Sequence, residues 1–402
     1  MCRCQSRATL TVVATTLALS LLLVRCATAQ EELIEERQGH RLQPRIVPAT
    51  DERIGRLKAP EGFRVEVFAR DLGEPRMLAV GEDGTVYVTR RKPGDVLALR
   101  DADGDGRAES VTPIVQNLPD AHGIALRDGK IYIATVRELY VADSGAGQNS
   151  KPRKILEGIP PGGRHPNRTI GFGPDGLLYV SVGSTCNCCV EQHPESAAIF
   201  RLKPDGSGRE LFASGLRNTI GFGWHPKTRQ MWGMDHGSDW LGDDFPPEEL
   251  NRLEEGKHYG WPFFHADNQL IELRDYPAGF DADAWRAKVT PFVIGYTAHA
   301  APLQMAFYSG EQFPAEYRND AFVAMRGSWN RKPPSGYEVV RVRFDQSGQP
   351  QKIEPFVTGF LLDDGSTAFA RLAGCAVAKD GSLLVGDDTN GVIYRISYDQ
   401  KR

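Results

Sequence analysis

A short unit of alternating hydrophobic and polar residues recurs along most of the chain. In each unit a tight turn, often built on Asp-Gly, precedes a β-rich strand, as in TVYVTR after Gly84, KIYIAT after Gly129 and LLYVSVG after Gly176. A second β-rich run follows, such as DVLALRD or YEVVRVRF. Strands bounded by turn residues at regular spacing, without helical periodicity, are typical of an all-β repeat fold.

Six such units predict a six-bladed β-propeller over residues 59–402. The first units begin about 45 residues apart, which is the length of a propeller blade. The segment GFRVEVFA at 62–69 is expected to close the ring against the last blade, because closure removes exposed strand edges. A long insertion is predicted at 245–300. A pair of β-sandwiches is the alternative, but it does not explain the repeat.

The N-terminal part of the chain differs from these repeats. Residues 8–24 carry no charge, follow two arginines and precede Ala27-Thr28-Ala29. This arrangement is typical of a secretory signal peptide, so we predict that residues 1–29 are cleaved on export to the periplasm or the medium. Retention as a membrane anchor is the alternative. The polar residues 30–58 are expected to form a loosely held lead segment.

Composition limits the partners of the chain. The 402 residues include 48 Lys and Arg against 52 Asp and Glu, and the net charge is −4. No basic block stands out, so a nucleic-acid partner is not expected. The sequence after the leader has no further apolar run of membrane-spanning length, so no stable membrane span is expected after cleavage.

Polar residues cluster next to the strands that would line the channel of the propeller. His165 lies in RHPNR before the strand of the third unit, and Arg217 and Asn218 occupy the same place one unit later. Histidine is well suited to take a proton near neutral pH, and channel-mouth loops commonly carry function in propellers. Gly237 and Ser238, in DHGSDW, can offer backbone carbonyls to a hard cation.

Basic residues form a second group of candidates. Arg326, Arg331 and Lys332 fall within one short segment, and Arg371 precedes a strand of the sixth unit. Such cations either form a solvated surface or bind a ligand rich in carboxylates. For the second case we expect Arg217, Arg371 and one of Arg326 or Lys332 to converge at the channel mouth.

Together these motifs resemble the glucose/sorbosone dehydrogenase family, and within it the sorbosone dehydrogenase-like members. The motifs occur in order over about residues 60–397, namely GRHPNRTIGFGPDGLLYVSVGS, ASGLRNTIGFGWHP, HYGWP, GSWNR and NGVIYRI. Members of the family are six-bladed propellers that oxidise sugars with pyrroloquinoline quinone (PQQ) and calcium. The resemblance therefore implies PQQ and Ca²⁺ as cofactors and a sugar or a related alcohol or aldehyde as substrate.

The resemblance also implies a role for each matching residue. His165 corresponds to the general base, Arg217 to an arginine beside the quinone carbonyls, and Asn218 to a neighbouring PQQ contact. Gly237 and Ser238 correspond to the calcium-binding carbonyls. The remaining matches are Arg326 or Lys332 for a PQQ-binding lysine, Arg371 for an arginine that pairs with a PQQ carboxylate, and His122 for a substrate contact. The chain has no Cys-x-x-Cys-His haem motif, so electrons are expected to leave to a diffusible acceptor or partner.

The segment TCNCCVE holds Cys186, Cys188 and Cys189. In an exported protein a local disulfide is favoured over a zinc site, which needs further ligands. The resemblance implies the pair Cys186–Cys189, with Cys188 as the odd thiol. Cys375 lies in the apolar run LAGCAVA and is expected to be a free thiol in the core.

The segment DADGDG, at residues 101–106, begins like a calcium-binding loop. A loop of the EF-hand type needs an acidic residue at its twelfth position, where this chain has Thr112. A tight polar turn and a structural calcium site are therefore both open interpretations.

Two other functions compete with a dehydrogenase. A propeller lactonase would need a metal held by carboxylates that face the channel, whereas the motifs offer arginine and histidine there. A non-catalytic propeller that binds carbohydrate or a partner protein would be favoured if the basic residues lay scattered over the outer surface.

Overall fold

The computed structural model describes residues 32–34, 37–145, 150–273 and 276–399. The predicted signal peptide lies outside these residues. The elements of the first half are β1 (Arg45–Ile46), α1 (Asp51–Ile54), β2 (Phe63–Ala69), β3 (Pro75–Val80), β4 (Val86–Arg90), β5 (Asp95–Arg100), β6 (Ser110–Val115), β7 (Gly123–Arg127), β8 (Lys130–Ala134), β9 (Glu138–Asp143), β10 (Arg153–Glu157), β11 (Arg168–Phe172), β12 (Leu178–Val182), β13 (Ala198–Leu202) and β14 (Glu210–Ser214). Those of the second half are β15 (Gly221–Trp224), β16 (Met231–Asp235), β17 (Glu248–Leu253), β18 (Phe264–His265), β19 (Gln269–Leu270), α2 (Ala282–Arg286), β20 (Ile294–Tyr296), β21 (Pro302–Phe307), a 3₁₀ helix (Ala315–Tyr317), β22 (Ala321–Met325), β23 (Glu338–Phe344), β24 (Pro350–Val357), β25 (Thr367–Ala368), β26 (Leu372–Val377), β27 (Leu383–Asp387) and β28 (Val392–Tyr398).

Six four-stranded antiparallel sheets form a ring, so the predicted six-bladed β-propeller is confirmed. In chain order the blades are β3–β6, β7–β10, β11–β14, β15–β17 with β20, β21–β24, and β26–β28 with β2. The last blade is completed by β2, which runs antiparallel to β28 from Phe63 opposite Tyr398 to Ala69 opposite Ile393. The extra strand predicted at 62–69 therefore closes the ring.

The second strand of each blade is buried on both faces. Val88, Val180, Val323 and Val385 occupy these strands and are fully buried. Neighbouring blades cover both sides of each sheet, and strands covered on both sides are rich in Val, Ile and Leu. Each such side chain contributes about 1.5–3 kcal/mol through burial of apolar surface.

The described part of the lead segment is attached to the propeller, contrary to the expected loose association. Strand β1 pairs in parallel with β25, and Thr50 caps the short helix α1. Val47, Ala49 and Ile54 pack into the apolar core between the last two blades. These three apolar residues anchor the otherwise polar segment to the propeller.

The predicted insertion is shorter than 245–300. Residues 248–253 form β17 and residues 294–296 form β20, which are the third and fourth strands of one blade. The insertion therefore spans 254–293 and contains the hairpin β18–β19 and helix α2. The α2 residue Trp285 packs against Phe263, with ring centroids 5.0 Å apart.

The acidic turn at 101–106 gathers four carboxylates. Asp101, Asp103, Asp105 and Glu109 have side-chain oxygens within 4.8 Å of one another. Asp101 also accepts hydrogen bonds from the backbone N–H groups of the turn, as in a tight polar turn. Glu109 is the ninth residue counted from Asp101, so the twelfth position stays Thr112, and the calcium interpretation stays a prediction.

Among the residues that the structure describes, no helix has the length and apolar character needed to cross a membrane.

Candidate functional site

A cavity of about 440 Å³ opens where the first strands of the blades begin. Its wall includes residues from five of the six blades: Arg76 in β3, His165 before β11, Arg217 and Asn218 before β15, Leu303 in β21 and Arg371 before β26. Residues at the start of each innermost strand face the channel of a propeller. The cavity therefore lies at the mouth of the central channel, and its volume is in the usual range for small-molecule sites.

Most of the sequence-predicted residues meet at this cavity. Those that line it are His165, Arg217, Asn218, Gly237, Arg326 and Arg371. The three basic residues thus converge from different blades, as expected, with Arg326 rather than Lys332 as the third. Lys332 is exposed in the loop after β22 and does not line the cavity.

The hydrogen bonds of His165 define its tautomer. Its Nδ1 lies 2.9 Å from the carbonyl oxygen of Ser184 and 2.8 Å from the Ser184 hydroxyl. Because a carbonyl only accepts, Nδ1 carries the proton, and Nε2 keeps a lone pair. Desolvation of the ring, together with the Arg217 charge, lowers the pKa of His165 well below its ordinary value. The side chain is therefore a neutral imidazole with a free acceptor nitrogen.

Arg217 is buried and held by several groups. Its Nε donates to the carbonyl of Asn187 at 2.9 Å, and Nη2 donates to Oδ1 of the same residue at 2.9 Å and lies 3.2 Å from Asp239. The backbone N–H groups of Arg217 and Asn218 both donate to the buried carboxylate of Asp235 at 2.8 Å. Burial raises the pKa of Asp235 to about 6. These contacts fix the segment that presents Arg217 to the cavity.

A buried carboxylate lies beside the predicted calcium carbonyls. Glu248 lines the cavity and accepts hydrogen bonds from the backbone N–H groups of Gly237, at 3.1 Å, and Ala301, at 2.8 Å. Burial raises the pKa of Glu248 to about 8. Ser238 is buried next to Gly237 and is not among the residues that line the cavity, so the structure does not place its predicted calcium-binding carbonyl at the cavity wall. Carboxylate and carbonyl oxygens form the kind of donor set that calcium prefers.

The basic side chains exceed the acids that neutralise them. Asp388 alone bridges Arg76, at 2.5 Å, and Arg326, at 2.6 Å. Arg371 donates to the carbonyl oxygens of Arg326 and Gly327 and has no carboxylate partner within the described residues. Burial and the charge of Arg326 lower the pKa of Arg371 to about 10. An anionic ligand at this wall would supply the missing negative charge.

His122 does not lie at the cavity wall, which argues against its predicted contact with a substrate. The ring is buried, and its Nε2 accepts from Arg76 Nε at 3.3 Å while Nδ1 lies 3.0 Å from the carbonyl of Arg168. The side chain before β7 thus contacts Arg76, which itself lines the cavity. His122 holds that arginine in place.

Sequence reasoning missed several lining or supporting residues. They include Arg76, Asn187, His236, His299 and Asn330. Two of the three histidines at the cavity, His236 and His299, donate through Nε2 to the carbonyls of Pro302 and Gly242. The quoted motifs DHGSDW and GSWNR contained His236 and Asn330, so their positions were visible in the sequence although their contacts were not.

The structure contains the disulfide Cys186–Cys189, with the two Cα atoms 6.1 Å apart. Cys188 and Cys375 are buried free thiols, as the sequence predicted. The disulfide closes a short loop after β12, and Asn187 within that loop is the residue that contacts Arg217.

The protein is a closed six-bladed propeller with a basic site for a small molecule at the mouth of its channel. The TrAA12-like family model matches residues 57–399, and the chain belongs to that family. This match, together with the PQQ-dependent sugar dehydrogenases among the relatives, confirms the predicted glucose/sorbosone dehydrogenase family, whereas the nearness to its sorbosone dehydrogenase-like members stays a prediction.

Three relatives illustrate the similarity. An uncharacterised protein of Borreliella burgdorferi is 31% identical over 88% of this chain and 94% of its own length. The pyrroloquinoline quinone-dependent pyranose dehydrogenase of Coprinopsis cinerea is 30% identical over 85% of this chain, which spans 54% of that enzyme. The calcium structure of the Trichoderma reesei family AA12 protein superposes with a TM-score of 0.73 at 19% identity, covering 86% of this chain and 98% of that one.

Proposed function

We propose that the protein is a PQQ-dependent dehydrogenase that oxidises a sugar or a related alcohol or aldehyde. The observation that carries this proposal is the convergence of a neutral histidine and three arginines from separate blades on one cavity. Like charges brought together in this way disfavour folding unless an anion neutralises them, and PQQ carries three carboxylates. The 30% identical PQQ-dependent pyranose dehydrogenase supports the same activity.

The residues present fit both cofactors. Arg217, Asn218, Arg326 and Arg371 would hold PQQ, and the carbonyl of Gly237 and the carboxyl group of Glu248, which both line the cavity, would bind calcium. The Arg371 guanidinium has room for a carboxylate partner, since among the described residues it donates hydrogen bonds to backbone carbonyls alone. Two lining asparagines, Asn167 and Asn330, also have a buried Oδ1 that finds no hydrogen-bond partner in the described part of the chain. Orphaned polar atoms of this kind indicate a missing ligand or water.

The residues of the chain assist the removal of a hydroxyl proton. When bound, the quinone supplies the two-electron acceptor for the hydride that leaves the substrate carbon. His165 accepts the hydroxyl proton at Nε2, because Ser184 holds the ring proton on Nδ1. Arg217 stabilises the negative charge that develops at the cavity wall, and Asn187 and Asp239 fix its orientation. The substrate loses one hydride and one proton and becomes a carbonyl compound, or an acid from a hydrated aldehyde.

Reconstitution of the exported protein tests this proposal. The protein is loaded with PQQ and Ca²⁺ and supplied with a soluble dye as electron acceptor and with a panel of sugars that includes sorbosone. We expect dye reduction that requires both PQQ and a sugar, and the panel would identify the substrate. Hydrolysis of lactones without PQQ would replace the proposal by a lactonase. Sugar binding without PQQ binding would replace it by a binding propeller.

We also propose that the protein acts outside the cytoplasm. The predicted leader and the internal disulfide both support export, since disulfides form in oxidising compartments. Mass spectrometry of the mature protein from the periplasmic or culture fraction should show an N-terminus near Gln30. An intact chain that begins at Met1 in the cytosol would contradict this proposal.

A further inference from the structure

The loop after β12, residues 184–189, contacts both of the principal side chains of the cavity. Ser184 binds His165 Nδ1 through its carbonyl and hydroxyl groups, and its own N–H donates to the carbonyl of Arg217 at 2.7 Å. Three residues further on, Asn187 binds the Arg217 guanidinium. The loop therefore links the candidate base to the candidate charge-stabilising arginine.

Asn187 supplies most of the contacts that orient the buried Arg217 side chain. Its backbone carbonyl accepts from Nε, and its Oδ1 accepts from Nη2, both at 2.9 Å. Oδ1 also accepts from the N–H of Asp239 at 2.8 Å, and Nδ2 donates to the Asp239 carbonyl at 3.0 Å. Both polar atoms of the Asn187 side-chain amide therefore form hydrogen bonds, and these bonds fix the orientation of the amide.

The disulfide and the lead segment restrain the backbone around Asn187. Cys186 and Cys189 are joined across it, so the loop around Asn187 is closed covalently. The carboxylate of Glu32 accepts from the N–H groups of Asn187 and Cys188 at 3.0 and 3.1 Å. Because long side chains lose rotamer entropy when they are fixed, a rigid partner is needed to keep Arg217 in one orientation.

We propose that Asn187, held by the Cys186–Cys189 disulfide, is a positioning residue that fixes Arg217 toward the cofactor cavity. The disulfide thus acts through Asn187 on the candidate active site, and its role is not limited to stabilising the fold. The consequences for cofactor binding and turnover rest on the proposed function, whereas the consequence for the orientation of Arg217 does not.

The first experiment compares Asn187→Ala with Gln312→Ala. Gln312 is a suitable control because its amide also bridges two other segments, Tyr398 and Asp380, but lines no part of the cavity. We expect Asn187→Ala to weaken PQQ binding and lower kcat by about 10- to 100-fold, the usual range for removal of a supporting partner, with the sugar KM changed less than about twofold. Gln312→Ala should leave all three constants near those of the parent. Equal behaviour of the two variants would overturn the proposal.

The second experiment asks whether the disulfide acts through Asn187. The double variant Cys186→Ser with Cys189→Ser is measured alone and combined with Asn187→Ala. We expect the combined loss in PQQ affinity to be no greater than the larger single loss, because coupled groups are not additive. Additive losses would mean that the disulfide acts independently of Asn187 and would overturn this part.

A third measurement is independent of the cofactor. The Nη2–H groups of Arg217, which donate to Oδ1 of Asn187, are followed by ¹⁵N NMR in the protein without added PQQ. We expect slow hydrogen exchange in the parent and Gln312→Ala proteins and faster exchange in Asn187→Ala and the double serine variant. Unchanged exchange would refute the positioning role. If the parent failed to bind PQQ but showed this pattern, the proposed function would fail and the positioning of Arg217 would stand.

Discussion

Substitution of His165 by glutamine tests the chemistry of the cavity directly. The carbonyl of Ser184 fixes the ring proton on Nδ1 and leaves Nε2 free to take a proton from a substrate hydroxyl. A glutamine side chain has a similar size and can still hydrogen-bond, but its amide is far too weak a base to take that proton. The substitution therefore removes the base while it preserves most of the packing.

The expected loss follows from the role of the group. A positioned general base contributes about 10²- to 10⁴-fold to a reaction, so kcat should fall by that factor. This equals about 3–5 kcal/mol of transition-state stabilisation at about 1.4 kcal/mol for each tenfold change. The lowered pKa of His165 also has a consequence for the parent enzyme. Because the pKa of His165 lies below its ordinary value of 6.5, the imidazole stays neutral at pH values somewhat below 6.5. The fall of kcat on the acid side of its pH profile should therefore lie below pH 6.5.

The assay is dye reduction by protein loaded with PQQ and Ca²⁺, with PQQ affinity measured separately by fluorescence titration. We expect His165→Gln to bind PQQ with an affinity close to that of the parent and to turn over slowly across the pH range. His236→Gln is the informative comparison, since His236 also lines the cavity and, among the described residues, its ring forms a hydrogen bond through Nε2 alone. A kcat within about threefold of the parent value for His165→Gln, or a larger loss for His236→Gln, would refute the assignment of the base.

Three further predictions concern the cofactors and the thiols. Arg326→Ala should weaken PQQ binding at least tenfold, about the value of a charge-assisted hydrogen bond, because Arg326 lines the cavity. Lys332→Ala should leave PQQ binding unchanged, because Lys332 does not line the cavity. PQQ titrations of both variants show which of the two residues binds the cofactor. Removal of divalent cations with a chelator should reduce the rise in melting temperature that PQQ produces, and added Ca²⁺ should restore it; an unchanged rise would exclude a shared calcium site. Mass spectrometry of the unreduced protein should show the Cys186–Cys189 bond and alkylation of Cys188 and Cys375 only after denaturation, since both thiols are buried; rapid labelling of the native protein would contradict this.

The fold could be predicted from the sequence because the second and third strands of each blade have a strong pattern. Segments such as Val86–Arg90 and Leu178–Val182 follow Asp-Gly turns. They are rich in apolar residues because neighbouring blades cover them on both faces. The innermost strands carry no comparable signal: Gly221–Trp224 has four residues, two of them glycine, and Pro75–Val80 and Pro302–Phe307 each begin with proline. The number of blades was therefore visible, whereas the strands that form the channel were located only through the motifs beside them.

The boundaries of the insertion were wrong for a related reason. Strand β17 has the sequence EELNRL, whose charged residues suggest a surface loop. In the structure Glu248 is buried in that strand, where it accepts two backbone hydrogen bonds next to the cavity. A polar side chain placed inside for function conceals the strand that carries it, so local pattern and global fold disagree at this point.

The local sequence pattern was also an incomplete guide to the cavity, where some residues could be assigned from the sequence and others could not. Arg217 and His165 were assigned because they stand in long motifs, but their behaviour depends on Asn187 and Ser184, which lie in another loop. Buried charges and imidazoles cost stability unless each polar atom finds a partner, so such partners must be supplied from segments distant in sequence. Only the three-dimensional structure shows which partners are present. Arg371 is the exception, a half-buried cation whose guanidinium has no carboxylate partner among the described residues, and this imbalance is what an anionic cofactor would correct.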